Sequence, residues 1–172
     1  TGGAWRNLSL TGTHVGTREE DGYEGIVIGL IGLGRIGGRV SKLMAPWGMR
    51  IVAYDPYVAE ERFRELGVER LGLDDLLKQS DVVSLHVILT KETRHMIGER
   101  ELGLMKPSAI LINTSRGPAV DEPALVKALQ DGVIGGAALD VFETEPLPMD
   151  SLLRDLGDNV LLSPHMSSHN FG

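Results

Sequence analysis

The sequence contains no cysteine, so it can form neither disulfide bonds nor thiolate metal sites. This absence fits a reducing compartment, and we take the cytoplasm as the expected location. An excess of positive charge is also missing. The formal net charge of −7 and the lack of a Lys and Arg cluster work against binding to a polyanion, so nucleic acid is not an expected partner.

Long hydrophobic runs are absent too. The longest apolar stretch, residues 26–33, is interrupted by Gly29 and Gly32 and is far shorter than the roughly 20 residues that a membrane-spanning helix needs. The first residues lack the basic and then apolar pattern of a signal peptide. We therefore expect no transmembrane segment and no membrane partner. Because the chain opens at Thr1 rather than at Met, we expect it to be part of a longer protein.

The chain divides into two parts by composition. Residues 1–24 are rich in Gly, Thr and Glu without periodicity and are predicted to form an arm or linker, whereas residues 25–172 are predicted to form one domain. Within the domain, short apolar runs alternate with amphipathic segments, which predicts an α/β fold with a Rossmann-type, doubly wound parallel sheet in three layers. The predicted strands are 26–31, 50–54, 82–87, 109–113, 134–141 and 160–162, and the predicted helices are 36–47, 59–66, 73–79 and 122–130. Asp121 is expected to cap the last of these helices.

A glycine-rich turn, Gly32-Leu33-Gly34-Arg35-Ile36-Gly37, lies between the first predicted strand and the first predicted helix. A G-x-G-x-x-G match alone is weak evidence in a chain with 22 glycines, but this setting is the one that dinucleotide-binding sites require. Gly32 permits the tight turn, Gly34 lets the backbone approach a pyrophosphate, and Gly37 lets helix and strand pack closely. The helix start then offers N–H groups and a favourable dipole to the phosphates.

Asp55 directly follows the second predicted strand. A carboxylate at this place accepts hydrogen bonds from the ribose hydroxyls and repels a 2′-phosphate. Together with the glycine turn, Asp55 therefore predicts NAD, rather than NADP, as the cofactor.

Further polar residues follow the later predicted strands, whose carboxyl ends face the same crevice. Arg116 stands on a turn after one strand, where a guanidinium could grip an anionic substrate. An acidic cluster, with Asp140, Glu143 and Glu145, follows the next strand. His165 follows the last, and an imidazole suits proton exchange near neutral pH. Taken singly, each is as compatible with an ordinary surface or structural residue as with a functional one.

Ordered motifs along the chain resemble the D-isomer-specific 2-hydroxyacid dehydrogenases, from about Trp5 to His165. The matching segments are Gly-Leu-Gly-Arg-Ile-Gly at 32 to 37, Ala-Tyr-Asp-Pro at 53 to 56, Ser-Leu-His-Val at 84 to 87, Thr-Lys-Glu-Thr-Arg at 90 to 94, Ile-Asn-Thr-Ser-Arg-Gly at 112 to 117, Ala-Leu-Asp-Val-Phe-Glu-Thr-Glu-Pro at 138 to 146 and Ser-Pro-His at 163 to 165.

The resemblance implies an oxidoreductase that transfers a hydride between NAD(H) and a D-2-hydroxy acid or 2-oxo acid. It implies that Arg116 binds the substrate carboxylate, that His165 is the general acid/base, and that Glu145 pairs with this imidazole. Asp140 would contact the nicotinamide carboxamide. The remaining cofactor contacts that the resemblance implies come from Arg35, Ile36, His86, Val87, Thr93, Thr114, Ser115 and His165.

The sequence departs from the family pattern at two places. Ile88 stands where Pro is usual, in a wall of the adenosine pocket, and Met166 to Asn170 replace a run that commonly holds a small residue and then Thr. His165 and His169 do not predict a metal site, because they lie on one loop without a third ligand.

Family members carry a second domain, which this chain lacks, and bind the substrate between the two domains. The resemblance therefore implies that the chain binds NAD(H) with little turnover, and that it forms a homodimer in which the arm over residues 1–24 reaches a partner. Two other interpretations remain open. One is an NAD-sensing interaction module resembling the C-terminal-binding-protein corepressors, and the other is a remnant that binds NAD without catalysis.

Overall fold

The computed structural model describes residues 25–166, so the arm predicted over residues 1–24 lies outside the described residues. Its sheet contains the strands β1 (Val27–Ile31), β2 (Arg50–Tyr54), β3 (Glu69–Arg70), β4 (Val82–Leu85), β5 (Ile110–Asn113), β6 (Gly136–Leu139) and β7 (Val160–Leu162). All neighbouring strands are parallel, in the order β3-β2-β1-β4-β5-β6-β7. The predicted parallel sheet is therefore confirmed.

The helices are α1 (Arg35–Met44), α2 (Glu60–Leu66), α3 (Leu73–Gln79), α4 (Glu99–Leu102) and α5 (Glu122–Gln130), with short 3₁₀ helices at Ala45–Trp47, Gly117–Ala119 and Leu152–Asp155. The predicted cap of α5 is present, since the Asp121 carboxylate accepts a hydrogen bond from Ala124 N at 3.0 Å.

Helices cover both faces of the sheet, because successive side chains of a strand point to opposite faces. In β2, Ile51 and Ala53 pack with Phe63 of α2, whereas Val52 between them joins the core on the other face. That second core contains Leu76 of α3, and also Leu102 of α4 and Leu125 of α5. The helix, sheet and helix layers that the sequence predicts are thus present.

The structure differs from the predicted elements at several boundaries. The predicted helix 36–47 ends at Met44 and continues as a 3₁₀ turn, because Pro46 has no N–H to donate to the preceding turn. The predicted strand 134–141 is shortened to β6. The strand β3 and the helix α4 were not predicted, since two and four residues are too short to show a periodic pattern.

The strand order reverses between β1 and β4, which lie side by side although β2 and β3 come between them in the chain. In open α/β sheets, ligands bind outside the carboxyl ends of the strands at such a reversal. Among residues 25–166, no helix is long and apolar enough to cross a membrane. The fold therefore directs attention to the segments that follow the strands.

Candidate active site

The glycine turn connects β1 to α1 and lies against the segment that follows β4. Gly32 has a φ of +96°, and a Cβ there would lie 2.8 Å from the His86 carbonyl oxygen. A Cβ on Gly37 would lie 2.1 Å from the Gly32 carbonyl oxygen. Side chains are thus excluded at both positions by backbone atoms that have no room to move.

Gly34, by contrast, faces open space, with no atom within 4 Å of the place a Cβ would take. It stands at the start of α1, whose first turn contains no acidic residue and receives no side-chain cap. The first amides of a helix have no partner within it, and the helix dipole makes this end favourable for an anion. The turn therefore fits a pyrophosphate on the basis of its shape and its polarity.

Asp55 also forms a hydrogen bond with the glycine turn, which its position in the sequence did not predict. Its Oδ2 accepts a hydrogen bond from Leu33 N at 2.8 Å, and its Oδ1 accepts one from Tyr57 N at 3.0 Å. The carboxylate therefore holds the glycine turn against the end of β2, in addition to placing a negative charge beside it.

A cavity of about 540 Å³ opens between the start of α1 and the ends of β4 and β5. Ile88 and Leu89, which are exposed, line this cavity. The other lining residues are Arg116, which was predicted to bind the substrate, and six predicted cofactor residues, Arg35, Ile36, His86, Val87, Thr114 and Ser115. Burial lowers the pKa of His86, which favours the neutral imidazole. Its Nε2 lies 3.1 Å from Ser84 Oγ.

Thr93 is not among the residues that line this cavity. Its hydroxyl donates to the Ile88 carbonyl at 2.6 Å and accepts from Thr90 N at 2.7 Å. Thr93 therefore shapes the loop that carries Ile88.

The turn that carries Arg116 is organised by Asn113, a buried residue at the end of β5. The Asn113 amide oxygen accepts from Ser115 N at 3.0 Å and from Ser115 Oγ at 2.9 Å, while its Nδ2 donates to the Arg116 carbonyl at 3.0 Å. Asn113 was not among the predicted site residues. A polar residue that ends an apolar strand immediately before a Thr-Ser-Arg-Gly turn was the available signal.

His165 and Glu145 are brought together although 20 residues separate them. His165 Nδ1 lies 2.7 Å from Glu145 Oε2, and Glu145 Oε1 accepts from Phe142 N at 3.1 Å. The hydrogen bond from His165 is the main cause that lowers the pKa of Glu145. An ionised carboxylate at Nδ1 requires that nitrogen to carry the proton, which orients the imidazole.

Asp140 forms hydrogen bonds with residues on either side of His165. It is buried, and its Oδ1 accepts from Ser163 Oγ at 2.5 Å and from Met166 N at 2.9 Å. His165 itself has a φ of +54°, a conformation that is unfavourable for an L side chain and persists where surrounding bonds hold it. Asp140 and Ser163 supply those bonds. Ser163 was not among the predicted site residues.

Arg116 is not in contact with this pair. Within residues 25–166 its side chain donates to the Ser115 carbonyl at 2.6 Å and makes no hydrogen bond to Glu145 or His165. The latter two line a separate, mainly apolar cavity of about 620 Å³. In the part of the chain that the structure describes, no group of three His, Cys, Asp or Glu side chains could hold a metal ion, and His169 lies outside that part.

The fold and the glycine turn define an α/β domain of the dinucleotide-binding class, with an imidazole–carboxylate pair at the same edge of the sheet. Comparison with known proteins gives a narrower assignment. The protein-family model for the NAD-binding domain of D-isomer specific 2-hydroxyacid dehydrogenases matches residues 5–167 of this sequence. The chain belongs to this family, which confirms the predicted family and the predicted cofactor, NAD.

Two curated relatives and one solved structure illustrate the similarity. The chain is 54% identical over 149 residues to a glyoxylate reductase of Korarchaeum cryptofilum, covering 86% of this chain and 45% of the relative. It is 48% identical over 145 residues to a D-3-phosphoglycerate dehydrogenase of Methanocaldococcus jannaschii, covering 84% and 27%.

The solved structure is a D-lactate dehydrogenase from Aquifex aeolicus complexed with NAD and lactic acid. It superposes with a TM-score of 0.77 at 42% identity, covering 85% of this chain and 48% of that one. The chain thus spans less than half the length of each of these three relatives.

Proposed function

We propose that this chain is the cofactor-binding part of an NAD-dependent enzyme that interconverts a 2-oxo acid and a D-2-hydroxy acid. The observation that carries the proposal is the 2.7 Å contact between His165 Nδ1 and the Glu145 carboxylate. This contact lies at the sheet edge that also carries the glycine turn, so a proton donor and a nucleotide site would share one edge of the sheet.

In the proposed reaction, His165 and Arg116 act on the substrate. NADH, when bound, supplies the hydride for the carbonyl carbon of the substrate. His165 donates a proton from Nε2 to the carbonyl oxygen, since Glu145 occupies Nδ1 and orients the ring so that Nε2 is the nitrogen left for the substrate. Arg116 holds the substrate carboxylate through two parallel hydrogen bonds. Its Nη1 donates to the Ser115 carbonyl, so Nε and Nη2 would be the pair that donates to the substrate carboxylate.

The cofactor contacts are proposed along the turn and the cavity beside it. The start of α1 would receive the pyrophosphate, and Asp55 would receive the ribose hydroxyls. Asp140 would combine its support of the His165 turn with a contact to the nicotinamide carboxamide. The other proposed contacts are Gly32, Gly34, Arg35, Ile36, Gly37, His86, Val87, Thr114 and Ser115. Thr93 would act on the cofactor site indirectly, through the Ile88 loop that it shapes.

For the substrate we propose a small 2-oxo acid, with glyoxylate as the first candidate. The support is the similarity to relatives named glyoxylate reductase. The test is a panel of glyoxylate, pyruvate, hydroxypyruvate and bulkier 2-oxo acids with NADH, on the protein that contains this chain. Preference for a bulky substrate would contradict the assignment, and inertness toward every member would contradict the proposed reaction.

We also propose that the 172-residue chain alone binds NADH but turns over 2-oxo acids negligibly. The side chains of His165 and Glu145 are 44% and 35% exposed, so water reaches the pair and weakens its electrostatic effect. Fluorescence titration with NADH should give saturable binding. Reduction of glyoxylate by this chain at rates typical of enzymes, about 1 s⁻¹ or more, would contradict the second half of the proposal.

Finally, we propose that the chain forms a homodimer through this domain and that residues 1–24 act as its arm. Two large apolar side chains on α1 and the turn after it support this proposal, since Leu43 and Trp47 are 60% and 47% exposed. Sedimentation at micromolar concentration should show a dimer, and Leu43→Glu should shift it toward the monomer. A monomeric unmodified chain would contradict this assembly.

A further inference from the structure

Two loops at the carboxyl edge of the sheet carry the residues of the proposed reaction. The Arg116 loop, residues 114–121, joins β5 to α5, and the Glu145 loop, residues 140–148, follows β6. Arg116 and the His165–Glu145 pair make no direct hydrogen bond, so their relative position depends on how these loops are joined. The contacts that join the two loops would therefore set the geometry of the reaction, a role that rests on the proposed function.

His95 contacts both loops at once. Its backbone N–H donates to the Pro118 carbonyl of the Arg116 loop at 2.8 Å, and its Nε2 lies 2.7 Å from Glu143 Oε1 of the Glu145 loop. Because the carboxylate can only accept, Nε2 carries the proton and donates it. His95 adopts a φ of +50°, which an L side chain avoids unless surrounding bonds hold it there.

The segment around His95 is well anchored to the Arg116 loop. Ile97 N donates to the Ala119 carbonyl at 3.2 Å, and Asp121 N donates to the Ile97 carbonyl at 2.9 Å. The segment therefore runs alongside the loop, and a movement of one would have to break several bonds to the other.

Glu143 is also bonded to Glu122, the first residue of α5. Glu143 N donates to Glu122 Oε2 at 3.1 Å, and Glu122 N donates to Glu143 Oε1 at 3.3 Å. The two loops also touch directly, since a Cβ on Gly117 would lie 1.8 Å from the Phe142 carbonyl oxygen. Backbone contact, reciprocal side-chain bonds and the His95 imidazole thus join the same two segments.

The contacts between the two loops extend to the His165–Glu145 pair. Phe142, which lies against Gly117 and precedes Glu143, donates its N–H to Glu145 Oε1 at 3.1 Å. Glu145 Oε2 in turn contacts His165 Nδ1. A displacement of residues 142–143 therefore changes the carboxylate that orients the imidazole.

We propose that His95 and Glu143 are positioning residues that lock the Arg116 loop to the Glu145 loop and thereby set the geometry of the His165–Glu145 pair. They act through Pro118 and Phe142 and need not touch substrate or cofactor.

The test compares Glu143→Ala with Glu143→Gln in the 172-residue chain. Both variants remove the same charge, but only glutamine keeps an oxygen that accepts from His95 Nε2 and from Glu122 N. Carbon-detected NMR follows the titration of the Glu145 carboxyl group. We expect its midpoint to rise by at least about 0.3 pH units in the alanine variant relative to the glutamine variant, because a loosened pair stabilises the ionised carboxylate less.

His95→Asn provides a second, independent variant, because asparagine tolerates a positive φ but is too short to reach Glu143. It should raise the Glu145 midpoint in the same direction. Unchanged titration of Glu145 in folded His95→Asn and Glu143→Ala would overturn the proposal, even if both variants were less stable. If Glu143→Ala does not fold, His95→Asn decides alone.

A separate NADH titration of the unmodified chain keeps this result distinguishable from the proposed function. Failure to bind NADH would contradict the proposed function, whereas the Glu145 titration reports on the joint between the loops in either case.

Discussion

Replacement of Asp55 tests whether a single carboxylate both selects the cofactor and holds the glycine turn. Asp55→Asn keeps an oxygen for the bond from Leu33 N and removes the charge, whereas Asp55→Ala removes both. The two variants therefore separate the electrostatic role of Asp55 from its structural role.

The magnitudes follow from the geometry. A 2′-phosphate within about 5 Å of Asp55 would be repelled by roughly 1–3 kcal/mol at effective dielectric constants of about 40 to 80. Asp55→Asn should therefore strengthen NADPH binding by roughly 5- to 150-fold. Loss of a hydrogen bond to a charged acceptor costs about 1.5–3 kcal/mol, so Asp55→Ala should weaken NADH binding by roughly 10- to 100-fold and give NADPH a smaller net gain.

Fluorescence titrations with NADH and NADPH give the Kd of each cofactor for the unmodified chain and for both variants. The ratio of each variant's Kd to that of the unmodified chain is then compared between the two cofactors. Asp131→Asn is the matched control, because Asp131 ends α5 at the opposite edge of the sheet. If Asp55→Asn bound NADPH no more tightly than the unmodified chain does, the electrostatic reasoning would be refuted. Equal losses for both cofactors in Asp55→Ala would leave Asp55 only its structural role.

Three further predictions concern stability. Gly117→Ala should lower the free energy of unfolding by at least about 2 kcal/mol in urea titrations, because its Cβ would meet the Phe142 backbone, and an unchanged value would contradict the packing. Burial lowers the pKa of His86, so the unfolded chain takes up a proton more readily and stability should fall as the pH drops below about 6.5. His86→Gln should reduce this pH dependence, and an identical slope would argue against the assignment. Asp121→Ala should cost about 1 kcal/mol in thermal or urea unfolding, since Ala124 N loses its cap, and a loss near zero would argue against the cap.

Elements that depend on local pattern were predicted well. The glycine turn lies between a strand and a helix, as predicted, and β2, α3 and α5 have the predicted bounds. Periodicity over one element is sufficient to determine such features. The strand β3 and the helix α4 are too short for any period, and their formation depends on neighbouring strands and loops.

The sequence by itself determined the class of fold, the family and the cofactor, because the turn residues, the acid after β2 and the order of motifs are all local. Only the tertiary structure decided which side chains meet. Asp55 with Leu33, Asp140 with Ser163, and His95 with Glu143 lie 22, 23 and 48 residues apart, and strand pairing rather than sequence spacing brings them together. Contacts of this kind need the packed sheet, since its parallel strands deliver distant loops to one edge.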